Sequence, residues 1–241
     1  MSRYDWIARK PVAHRGYHDM NQHIWENSPS AFARAVQHDF AIECDLQLSS
    51  DNQAVVFHDY KTDRICGVEG KVREMTAAQL TSLHIGNTQD QIPTLKDLLR
   101  QVDGKVGLVL ELKTQNGEDT KIFAKIVLAD LQGYQGHVAL MSFDRHMIET
   151  LLECRTERPV GLVTSEGSES ARQDNESALQ LDLSFISFHV KDLPSKFVAD
   201  ARTKGLPVIT WTVNDEQSRK ATEEFADQMT FEGFDPSALP A

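Results

Sequence analysis

The chain has 241 residues, 40% of them hydrophobic, and a formal net charge of −11. This length and composition suit one domain with a single large core, 1–241, and the acidic charge without a Lys/Arg run argues against nucleic acid as a partner. The three cysteines are too widely spaced for a disulfide framework or a zinc site. No apolar run is long enough for a signal peptide or for stable membrane insertion. We therefore expect a cytoplasmic protein, and no pattern indicates an oligomeric state.

Short apolar runs alternate along the chain with amphipathic helical patterns. The first helix is predicted from Ser28 and Pro29, because serine is a preferred N-cap and proline is favoured in the first turn. Such alternation predicts parallel strands joined by right-handed crossovers. Eight units fit either a closed barrel or an open doubly wound sheet, and periodicity does not separate the two. The predicted strands are 11–14, 41–48, 106–112, 137–142, 159–163, 184–188, 207–211 and 228–231.

The segment after the second predicted strand interrupts this alternation. Only SSDNQ separates that strand from another apolar run, AVVFHD, and a link this short joins antiparallel strands. A turn centred between Asp51 and Asn52 would place Asp45 directly opposite His58. The following residues, 59–92, fit no barrel unit. We therefore predict a hairpin that leads into an insertion over one end of the sheet.

Acidic residues cluster at the carboxyl ends of two predicted strands, where ligands bind in parallel α/β folds. Glu43 and Asp45 are two positions apart and point to the same face, whereas Cys44 between them faces the outer helices. Glu111 lies near the end of the next barrel strand. Three carboxylates in one barrel mouth repel each other unless a cation compensates them. Because all-oxygen ligation suits Mg²⁺ or Ca²⁺, the pattern predicts a divalent metal site.

Imidazoles and fixed cations lie at the same strand ends. His14 and Arg15 end the first predicted strand, His58 ends the hairpin, and Lys113 follows Glu111 by two positions. Two imidazoles can divide acid and base roles near neutral pH, while a guanidinium and an ammonium can hold a phosphate. Each residue alone is as readily structural, and Glu111 with Lys113 could form a simple ion pair. Their coincidence at one end of the sheet indicates a phosphoryl-transfer site.

Six sequence blocks occur in the order and spacing of a known family. They read AHRGYH, ENSPSAFARAV, IECDLQLSSDNQAVVFHD, IPTLKDLL, LVLELK and VITWTVND, and they extend along nearly the whole chain. In these blocks the chain resembles the glycerophosphodiester phosphodiesterases, relatives of phosphatidylinositol-specific phospholipase C. The resemblance implies a TIM (β/α)8 barrel with a small inserted subdomain after strand 2, at about residues 59–92.

The resemblance also implies how the acidic residues are used. Glu43, Asp45 and Glu111 would bind the metal, and Glu26 in the ENS block is a candidate additional ligand or a neighbour of the ligands. The chain departs from the family pattern near its end, where TFEGFDP replaces a strand end of the type T-D-x-P. Glu232 is the candidate replacement for that acid. We assign no role to His18, although it lies close to a predicted strand end.

The remaining residues receive roles in the reaction from the same resemblance. His14 and His58 would act as general acid and base, Arg15 and Lys113 would contact the phosphate, and Trp211 would line the glycerol or alcohol pocket. The expected reaction is hydrolysis of a small glycerophosphodiester to sn-glycerol 3-phosphate and an alcohol. The nucleophile is either water or the neighbouring glycerol hydroxyl, which would give a cyclic phosphate.

Two other functions fit parts of this pattern. A lysophospholipase D would use the same chemistry on a lipid, but the polar insertion sequence DYKTDRICGVEGKVREM favours water-soluble diesters. A catalytically silent binding barrel would not need both imidazoles and all three carboxylates. Release of glycerol 3-phosphate from glycerophosphocholine, with and without a chelator, separates these alternatives.

Overall fold

The strands form a closed parallel barrel in the computed structural model, which describes residues 4–115 and 117–237. In chain order the strands are β1 (Val12–Ala13), β2 (Ala41–Leu48), β3 (Ala54–Val56), β4 (Leu108–Leu112), β5 (Val138–Ser142), β6 (Val160–Thr164), β7 (Phe185–His189), β8 (Val208–Val213) and β9 (Gln228–Phe231). All except β3 run parallel to their neighbours, and β1 pairs with both β2 and β9. This closure confirms the TIM barrel and excludes the open sheet.

Helices connect the barrel strands on the outside, and two short helices lie in the segment that follows β3. Over the described ranges they are α1 (Pro29–Gln37), α2 (Asp63–Cys66), α3 (Ala77–Leu80), α4 (Leu95–Val102), α5 (Thr120–Asp130), α6 (Arg145–Glu153), α7 (Glu169–Ala178), α8 (Lys196–Thr203) and α9 (Glu216–Phe225). Ser28 caps α1 as predicted, accepting a hydrogen bond from the backbone N–H of Ala31. Among these helices, none combines the length and apolar character needed to cross a bilayer.

Apolar side chains pack inside the barrel, beneath and beside the site cavity. They come from alternate positions of the strands: Val12, Ala41, Val109, Ala139, Met141, Val163, Phe185 and Ile209. Ile7, in a short 3-10 turn at Asp5–Ala8, packs against them at the amino-terminal end of the barrel. Cys44 points outward into the larger core between strands and helices, as predicted. Because these side chains close the amino-terminal end of the barrel, a ligand must enter at the carboxyl ends of the strands.

The predicted hairpin forms between β2 and β3, but its predicted register was wrong by one residue. Leu48 pairs with Ala54, and the backbone N–H of Phe57 donates to the carbonyl of Asp45 over 2.9 Å. Asp45 therefore lies opposite Phe57 and not opposite His58. The physical reason is the turn, which has an odd number of residues, Ser49 to Gln53, and whose ends bond across the hairpin.

The segment between β3 and α4 forms the insertion that the sequence predicted. It contains α2, α3 and a 3-10 turn, Val72–Glu74. Its apolar side chains form a separate small cluster with residues of the hairpin: Val55, Phe57, Ile65, Val72, Leu80, Ile85 and Ile92. Since Phe57 precedes His58 directly, packing of the insertion sets the path of the chain at the edge of the barrel mouth.

We predict that the tight packing of β6 against β7 makes Gly161 intolerant of any side chain. A Cβ at Gly161 would lie 2.4 Å from ring atoms of Phe185, which is fully buried inside the barrel. Gly161→Ala should therefore lower the free energy of unfolding by about 1–3 kcal/mol, as overpacking does. Urea unfolding measures this change. The control is Gly167→Ala, whose Cβ would meet no atom within 4 Å; equal losses in the two variants would contradict the packing explanation.

Candidate active site

The three predicted carboxylates converge at the barrel mouth. Parallel pairing of β2 with β4 places Asp45 level with Glu111, and Glu43 lies on the same inward face of β2. One oxygen from each carboxylate lies within 4.8 Å of the others, and all three side chains are buried. This oxygen-only group could hold a divalent cation, and its donor chemistry suits Mg²⁺ or Ca²⁺.

Burial and mutual repulsion raise the pKa values of two of these carboxylates, whereas nearby cations lower that of the third. Burial, followed by the charges of Asp45 and Glu111, raises the pKa of Glu43 well above its usual range. Burial and the charge of Asp45 raise the pKa of Glu111 to about 7. Burial also acts on Asp45, but Arg15, His58 and Lys113 outweigh it and lower the pKa of Asp45. The group therefore carries excess negative charge that a bound cation would compensate.

His14 is held by a carboxylate from the last strand. Its Nδ1 lies 2.7 Å from Oε2 of Glu232, and its Nε2 lies 3.9 Å from Oε2 of Glu43. A carboxylate can only accept, so this contact keeps the proton on Nδ1 and leaves Nε2 of neutral His14 as an acceptor. His18 lies behind this pair, with Nε2 3.7 Å from the same Glu232 oxygen.

His58 is held in the same way, by a carboxylate at Nδ1. Its Nδ1 lies 2.7 Å from Oδ1 of Asp59, and its ring lines the cavity. The side-chain amide of Gln47 donates to three successive carbonyls, those of Phe57, His58 and Asp59, and so fixes the backbone at this turn. Burial, with Arg15 and Lys113 nearby, lowers the pKa of His58 despite the opposing charge of Asp45. The neutral imidazole is therefore favoured near neutral pH.

Arg15 and Lys113 bring positive charge to the carboxylates. The Arg15 backbone N–H donates to Glu43 over 2.9 Å, and its Nε lies 3.6 Å from Asp45 without a hydrogen-bond partner. Arg15 has a left-handed backbone, φ 52°, beside Gly16, where a Cβ would approach that of Ala31 to 2.8 Å. The close approach to α1 thus requires glycine. Lys113 Nζ lies 3.7 Å from Asp45 and 3.5 Å from Glu111.

Glu26 lies outside the group of three carboxylates whose oxygens converge. It is buried and accepts hydrogen bonds of 2.7 Å from both Arg15 and Asn21. It also binds Arg64 through two hydrogen bonds, of 2.9 and 2.7 Å. Although burial opposes ionisation, these partners hold the pKa of Glu26 well below its usual range. The structure thus places Glu26 behind Arg15, as a neighbour of the site.

Aromatic rings form one wall of the cavity. Trp211 donates its indole N–H to the carbonyl of Ser187 over 3.2 Å, which fixes the ring plane. Phe143 packs edge-on against it at 5.2 Å between ring centroids, and His189 lies 4.8 Å from it on another side. Phe143 remains half exposed at the rim. The cavity therefore has a charged wall at β1, β2 and β4 and an aromatic wall at β5, β7 and β8.

Several residues that hold the site were missed by sequence reasoning. Asn27 donates to Asp45 over 2.8 Å, and Asp59 orients His58. Asn27 directly follows Glu26 and Asp59 directly follows His58, so their positions in the sequence could have indicated both as site residues. Phe143 and Arg64 carried no such signal, because each reaches its partners through the folded structure.

The fold and the site together define a class of enzyme, the phosphodiester hydrolases built on a (β/α)8 barrel. The chain belongs to the Glycerophosphoryl diester phosphodiesterase family, whose family model matches residues 14–234. This match covers all the site residues described above.

Individual relatives agree with the family assignment. The Bacillus subtilis protein YhdW is 26% identical over 217 residues, which cover 86% of this chain and 87% of YhdW. The glycerophosphodiester phosphodiesterase of Caldanaerobacter subterraneus subsp. tengcongensis is 26% identical over 213 residues, 84% and 85% of the two chains. A solved phosphodiesterase from Oleispira antarctica, in complex with its product sn-glycerol-3-phosphate, superposes with a TM-score of 0.81 at 24% identity. That match covers 93% of this chain and 92% of the other, and it shows the shared fold.

We predict that Glu111 makes the metal-free protein less stable as pH rises. The pKa of Glu111 is raised from 4.5 to about 7 in the folded protein. Between these two pH values the unfolded chain releases the Glu111 proton while the folded protein keeps it, so the unfolding free energy falls until the folded group ionises as well. Relative to Glu111→Gln, the metal-free wild type should lose on the order of 2–3 kcal/mol of unfolding free energy from pH 4.5 to pH 8.

Urea unfolding in excess EDTA at several pH values measures this difference. Glu224→Gln, at an exposed position on α9, is the control. A gap between wild type and Glu111→Gln that does not change with pH would show that folding does not raise the pKa of Glu111.

Proposed function

We propose that this phosphodiesterase uses a divalent cation, Mg²⁺ or Ca²⁺, to hydrolyse water-soluble glycerophosphodiesters to sn-glycerol 3-phosphate and an alcohol. The observation that carries the proposal is the convergence of three buried carboxylates, two oriented imidazoles and two cations in one cavity. Family membership supports the glycerol arm of the substrate. The product bound by the Oleispira antarctica phosphodiesterase, which shares the fold, is consistent with it.

Glu43, Asp45 and Glu111 are the residues that would hold the cation. The chemistry that a divalent cation supplies at such a site is charge compensation and polarisation of a phosphate oxygen. Asn27 keeps one oxygen of Asp45 in place through its 2.8 Å hydrogen bond, and the Arg15 N–H does the same for Glu43. The carboxylates are therefore positioned before any ligand arrives, which limits the reorganisation that binding requires.

Arg15 and Lys113 would bind the phosphate. The Nε of Arg15 is buried, has no hydrogen-bond partner and lies beside the cavity, so a phosphate oxygen would satisfy it. Lys113 supplies a second charge from the neighbouring strand. Carboxylates raise the pKa of both groups against the effect of burial, so both stay protonated and act as fixed charges.

His14 and His58 would transfer protons on the two sides of the phosphorus. In each, a carboxylate binds Nδ1, so Nε2 is the atom available to the substrate. One imidazole takes the proton of the nucleophile, and the other protonates the departing alcohol oxygen. The carboxylate beside each Nδ1 would stabilise the positive charge that develops on the base as it takes up a proton in the transition state.

The aromatic wall would bind the carbon skeleton of the substrate. Trp211 and Phe143 present ring surface opposite the charged wall, and the indole of Trp211 is fixed by Ser187. Glycerol carbons packed on this surface would keep the phosphate over the cations. The chain that follows His58 is polar, with Lys61 exposed, which favours a water-soluble alcohol arm.

We predict that hydrolysis depends on the three carboxylates acting together with a divalent cation. EDTA should abolish release of glycerol 3-phosphate from glycerophosphocholine, and Mg²⁺ or Ca²⁺ should restore it. Asp45→Asn should lower kcat/KM by roughly 10²-fold or more, because it removes both a ligand and charge. A coupled assay for glycerol 3-phosphate measures both effects.

The control for this experiment is Asp103→Asn, at an exposed position that ends α4. It should hydrolyse the diester at the wild-type rate. Full activity of the wild type after exhaustive chelation would contradict the role of the cation and leave the phosphodiesterase assignment in place.

We predict that His14 and His58 divide the acid and base roles. His14→Asn and His58→Asn should each lower kcat on glycerophosphocholine by roughly 10²–10⁴-fold. A nitrophenyl diester needs no proton donor, so the variant of the acid should lose much less on that substrate. Arg15→Met should lose equally on both, because the phosphate is common to them.

His84→Asn, at an exposed position in the insertion, is the matched control and should behave as wild type. The comparison identifies which imidazole is the acid. Equal losses by both histidine variants on both substrates would show that the two imidazoles do not divide the work in this way.

A further inference from the structure

Arg64 joins the two carboxylates that hold His58 and Arg15. Its Nε and one terminal nitrogen donate to Asp59 over 2.7 and 2.9 Å. The terminal nitrogens also donate to Glu26 over 2.9 and 2.7 Å. One guanidinium thus spans two carboxylates with four charge-assisted hydrogen bonds, a geometry that depends on its planar fork.

The two carboxylates act directly on groups that line the cavity. Asp59 binds Nδ1 of His58 over 2.7 Å, and Glu26 binds a terminal nitrogen of Arg15 over 2.7 Å. A continuous chain of contacts therefore runs from the imidazole to the phosphate-binding guanidinium, with Arg64 at its centre. Arg64 itself does not line the cavity.

Arg64 belongs to the insertion and not to the barrel. It lies on α2, next to Ile65, which is buried in the small apolar cluster of the insertion. Glu26 lies between β1 and α1, on the barrel side. Docking of the insertion is therefore coupled to the placement of two site residues from different elements.

From this geometry we infer that Arg64 is a positioning residue, which aligns His58 through Asp59 and Arg15 through Glu26. This inference rests on the proposed function for the roles of His58 and Arg15. Without Arg64, Asp59 would lose the partner that binds both its oxygens, and Glu26 would lose two of its four side-chain donor contacts. The imidazole would then be held by a carboxylate that is free to rotate.

The test compares Arg64→Met, which keeps the stem of the side chain, with Arg64→Lys and with a matched control. The control is Arg73→Met, another insertion arginine, which pairs with Glu118 and contacts neither Asp59 nor Glu26. On glycerophosphocholine, Arg64→Met should lower kcat by roughly 10–100-fold, the range found for residues that orient site ligands. Arg64→Lys should recover only part of this loss, and Arg73→Met should keep the wild-type kcat.

Two further readouts separate positioning from a merely structural role. The variant Asp59→Asn with Arg64→Met should lose less kcat than the product of the two single losses, because Arg64 acts on His58 through Asp59 and only its effect through Glu26 remains to be lost. Millimolar guanidinium should restore part of the activity of Arg64→Ala and leave the activity of Arg73→Ala unchanged. Losses that multiply in the double variant, or wild-type kcat in Arg64→Met, would overturn the inference.

A measurement without turnover keeps this test independent of the proposed function. In ¹H–¹⁵N spectra, the Nδ1–H signal of His58 should be protected from exchange in the wild type and in Arg73→Met, and should broaden or disappear in Arg64→Met. An unchanged signal in Arg64→Met would overturn the positioning role even if the enzyme is active. Absence of hydrolysis by the wild type would overturn the proposed function, while the spectra would still decide the role of Arg64.

Discussion

Repulsion among three buried carboxylates is the constraint on which the rest of this site depends. The parallel pairing of β2 and β4 brings Glu43, Asp45 and Glu111 within 4.8 Å of one another, in a place where water cannot screen them. A fold that kept these charges without compensation would be destabilised. Burial and this repulsion together raise the pKa values of Glu43 and Glu111. The surrounding cations and the proposed metal would compensate the negative charge.

The same negative charge organises the cations and the imidazoles. Arg15 and Lys113 are kept protonated by the carboxylates they face, so the proposed phosphate contacts would need no change of charge. Each imidazole has its own carboxylate on Nδ1, Glu232 for His14 and Asp59 for His58. The site therefore presents one pattern twice, an imidazole that lines the cavity and is held at Nδ1 by a carboxylate.

The two imidazoles are held by different parts of the fold. His14 is held by a residue of the barrel itself, at the end of β9, whereas His58 is held at the junction with the insertion. The small apolar cluster around Ile65 and Phe57 packs the insertion onto the hairpin, and Arg64 ties it to Glu26. An element outside the repeating barrel units is thus linked, through Asp59 and Glu26, to His58 and Arg15.

The sequence by itself determined the elements of the fold and the candidate residues of the site. Alternation of apolar runs and helical patterns located all eight barrel strands within a few residues, because strand and helix periodicities are local properties. Position parity placed Glu43 and Asp45 inward and Cys44 outward, since side chains alternate along any strand. Closure of the sheet into a barrel came from the family resemblance and not from periodicity.

Only the tertiary structure decided the contacts that join distant parts of the chain. The pairing of Glu232 with His14 spans 218 positions, and that of Arg64 with Glu26 spans 38. The hairpin register differed from the prediction because a turn of odd length shifts every cross-strand pair, and turn length depends on hydrogen bonds that composition does not reveal. Glu26, a candidate ligand by resemblance, lies behind Arg15 because two guanidinium groups and an amide compete for its oxygens. These contacts depend on which residues folding brings together. No local sequence pattern gives the spatial distance between residues that are far apart in the chain.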